Sequence, residues 1–465
     1  MTKIPLKDLT PPATVELYAP RQQVYTRAFT GVFRDIRRVT GALLFVLFFG
    51  TAWLEWDGHQ AVWWNLPARQ FFIFGSTFWP QDFFLLSGIL ILCAFGLFFI
   101  TVYAGRVWCG YACPQSVWTW LFMWCEKVTE GDRQQRIRLD AAPTSVGKVV
   151  RKSAKHSLWL GIGLATGLTF VGYFSPIRDL TAALLSGQAN GWSYVWVGFF
   201  TLATYLNAGW LREQVCIHMC PYSRFQGAMF DSDTLIVSYN PARGEPRGTR
   251  RKDADPGTQG LGDCIDCTMC VQVCPTGIDI REGLQIECIG CAACIDACDS
   301  VMGKMNYPKG LISYTTERAL AGHKPRTLRP RLLAYGLVLT LMLGALATAF
   351  VTRPLLALDV SKDRMLYREN AEGRIENVYS LNIMNKAQRA YVLVIDAQGD
   401  ADLQLDAPAH IRLAAGERLS VPVRLSMAPE AVQVASQVVT FSLRAAHGSN
   451  TEVATRSRFN GPVAH

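Results

Sequence analysis

Eight cysteines in two regular runs constrain this chain more than any other feature. The first is Cys264-x-x-Cys267-x-x-Cys270-x-x-x-Cys274, followed by Pro275; the second is Cys288-x-x-Cys291-x-x-Cys294-x-x-x-Cys298. Three closely spaced thiolates on a tight loop can cup one face of an iron–sulfur cubane. Where two runs are present, the fourth cysteine of each ligates the other cluster. The spacing therefore predicts two 4Fe–4S clusters, one held by Cys264, Cys267, Cys270 and Cys298 and the other by Cys288, Cys291, Cys294 and Cys274. This exchange staples the two halves, so a small module at about 258–305 can fold around its metals. Zinc also binds at two-residue spacings, but it needs two pairs and no third cysteine in each run. Asp299 stands where a proline would follow the last cysteine, a departure that removes no ligand.

All 14 cysteines lie between Cys93 and Cys298, and the last 167 residues have none. A disulfide scaffold would not leave its exported portion bare, so metal ligation in a reducing compartment is the better reading. Hydrophobic residues make up 50% of the chain and charged residues 18%, against about a quarter charged in soluble domains. Five uncharged runs have the length and apolarity of membrane helices: Val39–Leu54, Phe83–Tyr103, Ser157–Ile177, Trp192–Leu211 and Leu332–Thr352. A crossing takes about 20 mostly apolar residues. A signal peptide is excluded for the first run, because it starts near residue 39 and no small-residue cleavage site follows. The aromatic segment Ala61–Pro80, broken by Pro67 and Arg69, reads as an interfacial or re-entrant loop.

Basic residues set the expected topology. The first 38 residues hold seven Lys and Arg, Ala104–His156 holds nine and Arg212–Arg331 holds fifteen. The two intervening loops hold one each, Arg69 and Arg178. The positive-inside rule then predicts a cytoplasmic N-terminus and two large cytoplasmic loops, with the tail from about Arg353 outside. The net charge of +9 is concentrated in these membrane flanks, which sets nucleic acid aside. The expected architecture is a multi-domain membrane protein. A cytoplasmic segment 1–38 precedes a four-span region 39–211, and the segment 212–331 carries the ferredoxin module. A fifth span at 332–352 leads to a periplasmic domain at 353–465.

That last domain reads as β. Asn377–Ile383 and Ala390–Ile395 alternate with period two. His410–Leu413, Leu419–Leu425 and Gln437–Leu443 follow, separated by turns such as Gln398-Gly399-Asp400. Short strands at this spacing predict an immunoglobulin-like β-sandwich.

A second constellation lies at the expected cytoplasmic membrane edge. Cys109-Gly110-Tyr111-Ala112-Cys113-Pro114 follows the second run, and Cys216-Ile217-His218-Met219-Cys220-Pro221 follows the fourth. Both continue to a serine, Ser116 or Ser223, which suggests an internal two-span repeat. A proline after the second cysteine suits the first position of a helix. Cys113 and Cys220 then sit near helix N-termini, where the dipole favours a thiolate. The four thiols could form one site or two pairs, holding Cu(I), zinc or an iron–sulfur centre. His218 is a further candidate ligand; buried thiols at a helix break are the plain alternative. Cys93 and Cys125 read as packing residues. Tyr239–Gly248 reads as a solvated linker. The sequence has no P-loop, dinucleotide fingerprint or haem-attachment motif.

Together these residues resemble the cytochrome c oxidase accessory protein family, called CcoG, FixG or RdxA, over nearly the whole chain. The resemblance rests on Arg106-Val107-Trp108-Cys109-Gly110-Tyr111-Ala112-Cys113-Pro114-Gln115, on Arg243-Gly244-Glu245-Pro246-Arg247-Gly248 and on the paired cysteine runs. The segment Asp359–Glu369 leading into the terminal domain adds to it. It implies a bacterial inner-membrane protein that reduces Cu(II) to Cu(I) during assembly of cbb-type cytochrome oxidase. Its expected partners are oxidase subunits or copper-delivery proteins and a cytoplasmic electron donor. Copper comes from the resemblance; the spacing by itself predicts clusters in a membrane protein. Two other functions stay open: an electron conduit from quinol or a cytoplasmic donor to a periplasmic reductase, and a non-catalytic assembly scaffold.

Overall fold

Long apolar helices shape the first half of the chain and an antiparallel sandwich shapes its end. The computed structural model describes residues 23–251, 260–387, 389–399, 402–432, 434–446 and 452–462. Residues 1–22 of the expected N-terminal segment lie outside these, as do 258–259 of the expected module, Asp400 of the expected turn and residues 463–465. The chain divides into two compact units. One comprises Met1–Gly41, Thr101–Trp159 and Leu206–Arg326; the other comprises Ala42–Ile100, Leu160–Tyr205 and Thr327–His465.

Among the described residues, three helices are long and apolar enough to cross a membrane: Val32–Trp53, Pro80–Ala104 and Pro330–Val351. They cover three of the five expected runs. The Ser157–Ile177 run falls on the apolar end of a longer helix, Val146–Gly172, whose first turns carry Lys148, Arg151, Lys152 and Lys155. The Trp192–Leu211 run is α-helical only over Gly191–Thr204; its last residues, Tyr205–Leu211, widen into π turns. Cys93 is exposed on its helix, so it fills no protein core, whereas Cys125 is buried as expected.

In the first unit the ferredoxin-like region is built on a two-stranded sheet, Ile236–Tyr239 against Ile312–Thr315, and on the helix Ala293–Met305. Val237, Tyr239, Ile280, Ile295, Met302, Leu311 and Ile312 pack around the cysteines. The expected solvated linker is instead part of this body. Asn240 caps a helical turn at Pro241–Gly244, and Arg243 grips Asp263 at 2.6 Å and the Lys309 carbonyl at 3.0 Å. Composition rich in Pro, Gly and Arg suggested exposure, but the arginine is spent on tertiary contacts.

In the second unit the tail forms two antiparallel sheets. One orders the strands Gln404–Asp406, Arg418–Met427, Ile375–Asn385 and Leu356–Lys362; the other orders Ile411–Leu413, Tyr391–Gln398, Ser436–Ala445 and Glu452–Asn460. Alternation places Leu381, Ile383, Leu393, Val423, Phe441 and Leu443 between the sheets. Tyr379 packs edge-on to Phe441 and donates its hydroxyl to the Arg458 carbonyl at 2.9 Å.

The expected loop Ala61–Pro80 is a three-stranded meander of Val62–Asn65, Gln70–Ile73 and Ser76–Phe78. Its aromatics form cross-strand pairs, Trp63 stacked on Phe72 and Trp64 edge-on to Phe71. Pro67 and Arg69 occupy the turn between strands rather than breaking them. The meander runs into Asp82, which is buried. Its carboxylate accepts from Lys386 Nζ at 2.8 Å and faces Arg353 at 3.9 Å. Gln70 donates to the Gly416 carbonyl at 3.1 Å, so meander and sandwich are tied by buried polar contacts.

Candidate functional site

Each cysteine run is bent by the same pair of left-handed residues. Asp266 and Thr268 flank Cys267, and Gly290 and Ala292 flank Cys291, all with φ between 49° and 64°. Three of the four carry a Cβ, and such residues pay roughly 1–2 kcal/mol for this conformation. Each bend turns successive thiols to one side and opens a short helix, Met269–Gln272 or Ala293–Met305.

The thiols line two cavities. One is bordered by Cys264, Cys267, Cys270 and Cys298, with Tyr239, Met302 and Leu311. The other is bordered by Cys274, Cys288, Cys291 and Cys294, with Val237 and Ile289, and Cys270 reaches its edge. The expected quartets and the observed linings coincide, including the exchanged fourth cysteine of each run. Among the described residues, no three His, Cys, Asp or Glu converge tightly enough for a single metal ion. Four cysteine sulfurs and apolar neighbours at each cavity are the donor set that a 4Fe–4S cluster requires. Burial pushes Cys270, Cys288 and Cys298 up to about 12, so thiolates there require a cation to neutralise them.

The two Cys-x-x-x-Cys-Pro motifs fold alike. Cys109 lies in the short helix Val107–Tyr111, and Cys113 caps Pro114–Glu130. Cys216 lies in the π turn Val215–Met219, and Cys220 caps Pro221–Met229. Proline opens the following helix in both copies. The structure brings the four thiols together: burial first, then the proximity of Cys113, Cys109 and Cys220, pushes Cys216 up to about 12. Burial likewise pushes Cys109 up to about 11, against a hydrogen bond from Gln226 Nε2 to its sulfur at 3.2 Å. Neither of these two thiols is the helix-capping cysteine of its motif, a place taken by Cys113 and Cys220. His218 is exposed on its turn.

The two copies are clamped to each other by residues that periodicity does not reveal. Gln115 donates to the Asn207 carbonyl at 2.8 Å and the Arg212 carbonyl at 3.2 Å. Buried Glu126 pairs with Arg212 and with Arg136, the latter at 2.7 Å. Buried Glu130 binds Lys155 at 3.0 Å. The available signal was a pair of glutamates one turn apart in an otherwise apolar helix.

The first motif also touches a cysteine run directly. A Cβ on Gly110 would lie 2.9 Å from Cys291 Cα and from the Gly290 carbonyl oxygen. Only glycine admits this approach. Arg106, buried, donates to the Ile286 carbonyl and to the Cys288 carbonyl, the latter at 2.5 Å. Arg37, also buried, donates to the Cys291 carbonyl at 2.8 Å. Tyr314 donates to the Gly290 carbonyl at 2.6 Å and meets the Tyr111 hydroxyl at 3.3 Å. Cys109 is therefore one residue from a backbone contact with a cysteine of the second quartet.

Comparison with known proteins agrees with this layout. Residues 211–317 match the family described as "4Fe-4S dicluster domain", and residues 346–462 match the "IG-like fold at C-terminal of FixG". The chain is 38% identical over 434 residues to the nitrogen fixation protein FixG of Rhizobium meliloti, covering 84% of this chain and 83% of that one. It is 42% identical over 412 residues to protein RdxB of Cereibacter sphaeroides, covering 85% and 86%. A solved FixG-related protein from Vibrio parahaemolyticus aligns at 27% identity over 23% of this chain and 97% of its own, with a TM-score of 0.22. The dicluster domain, the C-terminal domain and 38–42% identity to FixG and RdxB over most of the chain establish that it belongs to the FixG/RdxA family of iron–sulfur electron-transfer proteins.

Proposed function

We propose that this protein is a multi-pass inner-membrane cupric reductase supporting assembly of a cbb-type cytochrome oxidase. The observation that carries the reading is the contact of Gly110 with the backbone of Cys291. It sets a motif of soft thiols against one of two cluster sites. Cys264, Cys267, Cys270 and Cys298 would hold the first 4Fe–4S cluster, and Cys288, Cys291, Cys294 and Cys274 the second. Bound there, the clusters would relay single electrons from a cytoplasmic donor. Copper is the substrate: Cu(II) arriving at Cys109, Cys113, Cys216 and Cys220 takes one electron from a reduced cluster and leaves as Cu(I). Thiolates favour Cu(I), so binding there adds driving force for the reduction.

The thiols stand too far apart for one ion in the structure, and copper binding must draw them inward. The proline-opened helix ends and the π turns at Tyr205–Leu211 and Val215–Met219 supply that freedom. In this reading the N-terminus and the ferredoxin module face the cytoplasm, where the basic residues concentrate, and the cysteine-free sandwich faces the periplasm. The sandwich then meets oxidase subunits or copper-delivery proteins. The test is anaerobic purification with metal and sulfide analysis, followed by a Cu(II) reduction assay. About eight irons and eight sulfides per chain, with Cu(I) formed at the expense of reduced clusters, support the proposal. Clusters that are reoxidised by quinone but not by Cu(II) overturn it in favour of a general electron conduit.

A further inference from the structure

Two buried arginine side chains donate to backbone carbonyls of the second run, and among the described residues none does so at the first. Arg106 and Arg37 are 7% and 8% exposed, and each donates to a carbonyl of that run, Cys288 at 2.5 Å and Cys291 at 2.8 Å. Among the described residues neither forms an ion pair. Their other neighbours are aromatic: Arg37 lies 4.1 Å from the Trp120 ring centroid and Arg106 lies 5.6 Å from that of Phe230. A buried carboxylate on this side is Asp296. It is occupied by the Phe33 and Arg34 amides at 3.2 and 2.8 Å, at the start of the first long helix. The Arg34 guanidinium is itself paired with Asp35 at 2.8 Å.

The first quartet is arranged differently. Its nearby arginine, Arg281, lines the cavity but is held by Asp279 at 2.6 Å and by Asp266. Asp263 and Arg243 form a second neutral pair beside that run. Around the first site Arg281 is matched by two aspartates and Arg243 by Asp263, with Arg250 set over Tyr307, whereas the second site faces two buried cations against one buried carboxylate, Asp296.

Reduction of a cubane adds one electron to a body already made negative by its thiolates. Nearby positive charge and hydrogen bonding raise the potential of such a cluster, and in a poorly solvated site a fixed charge acts more strongly than at the surface. We propose that Arg106 and Arg37 are positioning residues that hold the Cys274/Cys288/Cys291/Cys294 cluster at a higher potential than the Cys264/Cys267/Cys270/Cys298 cluster. Electrons entering at the first cluster then run downhill to the one that touches the Cys109 motif. The inference rests on the two clusters of the proposed function and is independent of copper.

The test is an anaerobic redox titration of the full-length protein in detergent, without copper, followed by electron paramagnetic resonance. A Cys264→Ser variant perturbs the first cluster and so assigns the two waves. The wild type is expected to show the second cluster reduced first. Arg106→Gln should lower that wave alone by at least tenfold in its equilibrium constant, about 59 mV for a one-electron couple. Arg106→Lys, which keeps the charge, should restore most of it. Arg37→Gln carries the same prediction and serves if Arg106→Gln loses iron. Unchanged potentials at unchanged iron content overturn the proposal, as does an equal shift of both waves or a wild type in which the first cluster is reduced first. Because no copper is added, failure of this titration is separate from failure of copper reduction.

Discussion

Replacing Gly110 by alanine tests whether electrons leave the second cluster through the first thiol motif. The added Cβ would sit 2.9 Å from Cys291 Cα and from the Gly290 oxygen, and 3.1 Å from the Cys291 nitrogen, all backbone atoms that cannot rotate away. Carbon atoms pack best at about 3.5–4.0 Å, so the two backbones must part by roughly 0.6–1.1 Å. Overpacking of this kind costs about 1–3 kcal/mol. Removing a glycine from a helix returns up to about 1 kcal/mol. The net cost of about 0–3 kcal/mol is too small to lose the clusters. A displacement near 1 Å at a reacting centre can cost up to about a hundredfold in rate. The assay is stopped-flow reoxidation of the reduced protein by Cu(II), with iron content measured on the same sample. Gly110→Ala should slow reoxidation and Gly110→Val should slow it further, both at full iron content. Gly303→Ala is the control, because nothing lies within 4 Å of its Cβ position. Reoxidation of Gly110→Val at the wild-type rate would refute the reasoning.

Three other outcomes follow from the same structure. Cys298→Ser should damage the cluster whose other ligands are Cys264, Cys267 and Cys270, and Cys274→Ser the cluster of the second run; magnetic resonance of each variant would show the opposite pattern if the fourth ligands are not exchanged. Asp82→Ala should destabilise the sandwich and meander together by about 3–5 kcal/mol, because it strands the buried cations Lys386 and Arg353; denaturant unfolding followed by limited proteolysis measures it, and a change below about 1 kcal/mol contradicts the buried-pair reading. Reporter fusions at Asn190 and after the sandwich should read periplasmic and one near Gly257 cytoplasmic; a cytoplasmic C-terminus would overturn the five-span topology.

The sequence made legible whatever depends on local spacing. The two cysteine runs marked the cysteines that border the two cavities, because their local spacing is enough to group them. The strands Tyr391–Gln398 and Arg418–Met427 were visible because one face of each is buried and the other is wet. The flanking strands Leu356–Lys362 and Glu452–Asn460 went unread, the latter carrying two arginines and a threonine on a largely exposed edge. In the Ala61–Pro80 meander, Pro67 and Arg69 looked like interruptions, although they form a turn between two aromatic strands. Contacts between distant segments left no periodic trace. Arg37 and Arg106 counted as membrane-flanking charge, yet both are buried against carbonyls of the second run. Gly110 read as an unremarked position between two cysteines, and only the fold reveals that Cys291 occupies the space its side chain would need.

The central claim is that the four motif thiols receive copper and the clusters reduce it. A Cys109→Ser/Cys216→Ser double variant, purified anaerobically, tests it most directly. The account predicts full iron and sulfide content with loss of both copper binding and Cu(II) reduction. Copper reduction at the wild-type rate in that variant would contradict it and place the copper site elsewhere in the protein.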